Sequence, residues 1–101
     1  MSEFKDQFRS VIAYVIRSLN ETGYCYIDDA ESVKTIDPGT YEFLVNHGVE
    51  SKYCMAICDA QEKFVIGFVC IEYIKKEDAK PDLVDHVFKE KQKILETLLN
   101  L

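Results

Sequence analysis

Gly48 to Tyr73 reads GVESKYCMAICDAQEKFVIGFVCIEY. Two apolar runs, Lys52 to Asp59 and Phe64 to Ile74, flank the polar stretch Ala60-Gln61-Glu62-Lys63. Strand formers dominate both runs, so the segment predicts an antiparallel hairpin. A turn centred between Gln61 and Glu62 sets Cys54 opposite Val69, Ala56 opposite Gly67 and Cys58 opposite Val65. In that register one face is slim (Cys54, Ala56, Cys58, Val65, Gly67, Val69) and the other large (Tyr53, Met55, Ile57, Ile66, Phe68). A glycine in mid-strand often marks the close approach of a neighbouring element. Both terminal helices are therefore expected on the Ala56/Gly67 face. A slip of one residue would exchange the two faces.

Outward from the hairpin, the spacing predicts helices at both ends. Phe4, Phe8, Val11, Ile12, Val15 and Leu19 recur at helical period over Glu3 to Leu19, with Ser2 as the cap and Asn20 to Gly23 as the stop. Leu83, Val84, Val87, Phe88, Ile94, Leu95, Leu98 and Leu99 form a second such stripe from Pro81 onward, interrupted by charge over Lys89 to Lys93. Tyr24 to Ile27 reads as a short strand, and Val33 to Ile36 as a small edge strand. Asp37-Pro38 starts a short helix, because Pro at the first position lacks only an N–H that would be unsatisfied anyway. Tyr41, Leu44 and Val45 face its buried side, and Gly48 ends it. The expected order is helix, strand, helix, strand, strand, helix.

A chain of 101 residues with 48% hydrophobic content supports one domain and one packed core, residues 1–101. A formal charge of −6 argues against nucleic-acid and anionic-membrane partners, whose attraction rests on Lys and Arg. No apolar run reaches the roughly 18 residues of a membrane span. The first residues carry acids and no continuous apolar stretch, so a signal peptide is not expected and the setting reads as cytoplasmic. In that setting the four cysteines, at 25, 54, 58 and 70, read as reduced thiols.

In order, Gly48-Val49-Glu50-Ser51, Asp59, Val65-Ile66-Gly67-Phe68 and Glu72-Tyr73, followed by a final helix, resemble the C-terminal half of a small GAF-like domain. The run IGFVCIEY is similar to that of compact GAF-like proteins of tailed bacteriophages. The resemblance implies a minimal GAF-like fold of the α/β (α+β) class: an antiparallel sheet, terminal helices packed together on one face and a short helix elsewhere. A roadblock/profilin-like arrangement shares much of this order. The segment between the first strand and Asp37 is short for a ligand-enclosing lid. Neither the cyclic-nucleotide signature nor the bilin-attaching cysteine pattern of GAF domains is found.

Candidate chemistry is sparse. A GAF-fold reductase of free methionine sulfoxide uses several cysteines, but the spacing here does not reproduce its arrangement. Cys54 and Cys58 lie about 13 Å apart along an extended strand, too far for a bridge. Buried packing is the better account of the thiols. The spacing does not build a tetrahedral metal site, and Asp28, Asp29 and Glu31 lack the glycine and spacing of a calcium loop. His47 and His86 stand at no triad spacing. No catalytic residue, metal or cofactor is expected.

Tyr53, Met55 and Phe68 are the candidates for lining a small-molecule pocket, although such a cluster is more often core, here beneath the Asp37 helix. Phe4, Phe8, Val11, Val15, Leu95, Leu98 and Leu99 are the candidates for an interface, because both terminal helices are more apolar than one sheet contact requires. GAF domains commonly dimerise through those helices. The expectation is a non-enzymatic interaction or assembly domain, self-associating or docking on another protein. The resemblance implies a phage accessory or virion-associated protein, in the host cytoplasm or the virion. A signalling-nucleotide sensor or sponge is the second reading, and the methionine sulfoxide reductase the third.

Overall fold

The computed structural model describes residues 2–61 and 64–100, with side chains from residue 5 onward. Helix α1 spans Ser2–Thr22 and buries Gln7, Val11, Val15 and Leu19, one residue per turn. Gly23, at φ +86°, turns the chain into β1, Tyr24–Ile27. A 3-10 turn, Ala30–Val33, follows where part of an edge strand was expected. Its cause is local: Asp29 caps the turn, its Oδ1 accepting from the Glu31 N–H at 3.0 Å, and Ala30 and Val33 eclipse into the core.

Helix α2 spans Pro38–Asn46 and starts as its sequence predicts, with Asp37 Oδ1 accepting from the Thr40 N–H at 3.2 Å. Gly48, at φ +68°, releases the chain towards β2. Strands β2, Ser51–Cys58, and β3, Val65–Tyr73, form the hairpin. A second 3-10 turn, Lys76–Asp78, leads to helix α3, Pro81–Leu99. The described residues thus form an α+β domain of three helices and a three-stranded antiparallel sheet, in the order β1-β2-β3.

The hairpin register differs from the expected one by a residue. Cys58 lies opposite Val65, as expected, but Ile57 lies opposite Gly67, so Ile66 is an extra residue that bulges β3. Beyond the bulge Ala56 faces Phe68, Met55 faces Val69 and Cys54 faces Cys70. The faces are reassigned accordingly. Cys54, Ala56, Phe68 and Cys70 share one side; Tyr53, Met55, Val69 and Ile71 share the other. Gly67 marks no helix approach, because a Cβ there would meet open space.

The terminal helices do not share a face. Val11, Val15 and Leu19 of α1 pack with Cys25, Ile27, Cys54 and Ala56 on the first side. Val84, Phe88 and Leu95 of α3 pack with Tyr53, Met55, Val69 and Ile71 on the second. The reason lies in β2, where every residue from Tyr53 to Ile57 is buried. A central strand apolar on both sides needs a cover on each. Helix α2 lies against α1: a Cβ on Gly39 would sit 2.3 Å from Ser10 Oγ, so glycine is what permits this contact.

The sheet is uneven at one end. Strand β1 begins at Tyr24, opposite Met55, so among the described residues the end of β2 has a strand only on its β3 side. Helix α3 serves instead, with polar residues at four-residue spacing. Gln92 Nε2 donates to the Ala56 carbonyl at 3.0 Å, and the Cys58 N–H donates to Glu96 Oε2 at 3.0 Å. Asn100 donates to the Cys58 carbonyl at 3.2 Å and accepts from the Ala60 N–H at 3.1 Å.

Candidate functional site

Two features stand on the β3 side of the molecule: an uncovered apolar edge and a row of thiols. Strand β3 is one of the two outer strands, and its residues alternate between half-buried and exposed from Val65 to Tyr73. The direction of its backbone follows from β2. The Ala56 N–H donates to the Gly23 carbonyl at 2.8 Å, so Lys52, Cys54 and Ala56 turn their backbone groups to β1. Tyr53, Met55 and Ile57 therefore turn theirs to β3, onto Ile71, Val69 and Gly67. The N–H and C=O groups of Phe68, Cys70 and Glu72 then point outward, along an edge with no neighbouring strand among the described residues.

Both long helices turn an apolar flank towards that edge. On α1, Ser10 meets Gly39 of α2, and Gln7 accepts from Asn46 Nδ2 at 2.9 Å. Ser18, on this same flank, reaches the Cys25 thiol of β1. The opposite flank carries Ile12 and Ile16, and Ile12 is 37% exposed; Phe8, though half exposed, sets its ring 6.0 Å from that of Phe43 in α2. On α3, Asp85 and Gln92 accept from the Tyr26 and Tyr24 hydroxyls of β1 at 2.9 and 3.3 Å. Helical geometry puts Leu83, Val87, Ile94 and Leu98 on the other flank, towards β3. Ile94 and Leu98 are 55% and 59% exposed and help line a shallow depression of about 430 Å³. Between the two helices β3 exposes Ile66 and Phe68. One side of the protein thus joins a free strand edge to three apolar strips.

The thiols form a line across the sheet: Cys25 lies opposite Cys54, and Cys54 opposite Cys70. Cys25 and Cys54 are buried, and Cys70 is exposed. The Cys54 thiol hydrogen-bonds Cys70, which holds Cys54 protonated far above its ordinary range and draws Cys70 below it. Lys52, two residues along β2 on the same face, reinforces the second effect by charge and by a hydrogen bond to Cys70. Its ammonium lies 2.6 Å from Glu72 Oε2. Burial works against the Lys52 charge, but Glu72 and the two thiols together more than restore it. Cys25 is pushed up by burial.

The residues singled out for a ligand do not come together. Tyr53 and Met55 are fully buried beneath α3, not beneath the Asp37 helix, and Phe68 is on the opposite face. Of the interface candidates, Val11 and Val15 are core, Leu95 is half-buried, and Phe8, Leu98 and Leu99 are exposed. Phe4 lies outside the described side chains. Ile12, Ile66 and Ile94 were missed; the helical period flagged the first and last, while Ile66 needed the bulge. The thiol row was missed because strand pairing, not spacing, creates it.

A cleft of about 510 Å³ opens between the first 3-10 turn, α2 and the end of β3, lined by Asp29, Glu31, Tyr41, Glu50, Ile74 and Lys76 among others. Its one short ion pair, Lys76 to Asp29 at 2.9 Å, is internal, and Tyr41 donates to Glu31 at 3.1 Å. His47 stacks on Phe43 at 4.1 Å, and His86 lies 3.1 Å from Glu90. Among the described residues no group of three or more His, Cys, Asp or Glu could hold a metal ion, and no helix is long and apolar enough to cross a membrane. Comparisons with models of protein families, with curated proteins and with solved structures find no match to this chain.

Proposed function

We propose that the chain is a non-enzymatic interaction domain that binds a second copy of itself, β3 adding to β3 across a two-fold axis. The observation that carries this reading is the convergence of the free β3 edge with the apolar flanks of α1 and α3. A self-complementary patch of this kind suits an isologous contact, in which each copy offers the same surface. Edge strands that must stay single are usually short, or carry proline or inward-facing lysine. Strand β3 has nine residues, no proline and, beyond the Ile66 bulge, an uninterrupted course.

In such a dimer the sheet continues through the axis, and each terminal helix covers apolar surface on its partner. Assembly then uses the helices that the sequence points to, one on each face. Within this reading the chain is a minimal GAF-like module, on the motifs from Gly48 to Tyr73. A phage accessory or virion-associated role is the setting that the resemblance implies.

Light scattering on the purified chain at micromolar concentration tests the proposal. A dimer that Ile94→Glu and Phe68→Lys each convert to a monomer, with unchanged circular dichroism, is the expected result. A wild-type chain that stays monomeric, or a dimer indifferent to both folded variants, overturns it.

A further inference from the structure

We infer that Cys54 and Cys70 are a reversible dithiol–disulfide couple, oxidised by thiol–disulfide exchange with low-molecular-weight disulfides. The geometry carries this. The backbone groups of Cys54 turn to β1, so Cys54 and Cys70 form a non-hydrogen-bonded antiparallel pair. Such pairs bring their Cα atoms to about 4.5 Å, within the range of roughly 4.4–6.8 Å that a disulfide spans. Cys25 faces Cys54 across a hydrogen-bonded pair, where the side chains stand wider apart. Cys70 is therefore the partner of Cys54.

The two thiols are unequal in a useful way. Cys70 is exposed, on the open side of β3, while Cys54 is fully buried behind it. The Lys52 ammonium beside Cys70 favours its thiolate, the attacking species. The Cys70 thiolate attacks one sulfur of a disulfide RSSR, forming a Cys70–S–S–R bond and expelling RS⁻. Cys54 gives up its proton and attacks Cys70 Sγ, releasing the second RS⁻. Two protein thiols and RSSR become one protein disulfide and two RSH, with two electrons passing from the protein to RSSR. A small thiol in excess reverses the sequence through the same mixed disulfide.

The test is intact-mass analysis of the native chain after exposure to oxidised glutathione, quenched with acid, followed by peptide mapping. The expected product is lighter by two hydrogen atoms and linked Cys54 to Cys70, and it reverts with reduced glutathione. Cys54→Ser should instead trap one glutathione on Cys70. Cys70→Ser, a change at an exposed position, should abolish the reaction, and Lys52→Met should slow it several-fold. A bond to another cysteine, or equal reactivity in Cys70→Ser, overturns the assignment. The same reaction on Ile94→Glu separates a thiol pair shielded by self-association from one that does not react; no disulfide in either chain overturns it.

Discussion

Tyr53, fully buried beneath α3, donates a hydrogen bond of 2.7 Å to Asp28 Oδ1, just past the end of β1. The bond ties the central strand to the turn that follows the edge strand. Burial, and then the Asp28 carboxylate, push the Tyr53 hydroxyl up to about 12 from its ordinary value of 10.0. In the unfolded chain the ring loses its proton near pH 10. Stability from this bond is thus complete below that value and falls as the pH climbs towards 12. Tyr53→Phe should destabilise the neutral-pH chain by about 1.5 kcal/mol, at the low end for a bond to a charged group because Asp28 regains water. Urea titrations at pH 7 and 11 should show the variant losing less stability between the two than the wild type.

Gly39 and Gly67 should respond oppositely to alanine. At Gly39 the new methyl group would meet Ser10 Cβ at 2.6 Å and Oγ at 2.3 Å, so α1 and α2 must separate. Overpacking of this kind costs about 1–3 kcal/mol. At Gly67 the methyl group enters open space, and φ is not in the left-handed region. Gly67→Ala should leave stability unchanged or raise it by up to about 1 kcal/mol, by restricting the unfolded chain. Paired thermal melts decide; a lower Tm for Gly67→Ala than for Gly39→Ala would contradict the packing described.

Thr40 is fully buried in the first turn of α2, and its hydroxyl has no hydrogen-bond partner among the described residues. Valine keeps the shape and removes the unsatisfied group. Thr40→Val should stabilise the chain by about 1 kcal/mol, measured as a higher urea midpoint at unchanged slope. A loss of stability would mean that the hydroxyl is satisfied in solution.

Gln92 links α3 to both β1 and β2, accepting from the Tyr24 hydroxyl and donating to the carbonyl of buried Ala56. Gln92→Leu keeps the bulk but strips that carbonyl of its side-chain donor. The expected cost is roughly 1–3 kcal/mol. Hydrogen exchange should quicken at the Ala56 and Cys58 amides more than in the centre of α1.

Much of the fold is legible residue by residue. The four-residue stripe of α1, the Asp37-Pro38 start of α2 and the two runs of the hairpin each follow from a short stretch of chain. The helix placement was legible too, in a signal passed over. Tyr53 to Ile57 contains no charged or amide side chain, and an unbroken, largely apolar strand is covered on both faces. Slim against large side chains was the weaker guide, because Gly67 serves the bulge at Ile66 and not a helix contact. The candidate sites were less legible. Cys25, Cys54 and Cys70 are distant in sequence, and only strand pairing lines them up.

The order of residues alone determined the three helices, the Asp37 cap and the antiparallel hairpin, because periodicity and capping act over a few neighbouring positions. It also determined that each terminal helix carries more apolar residues than a single stripe holds. Tertiary structure decided which side each helix takes, which cysteines meet and which way the apolar surplus points. Those outcomes depend on the strand register, which one bulged residue resets, and on backbone groups whose partners lie tens of residues away.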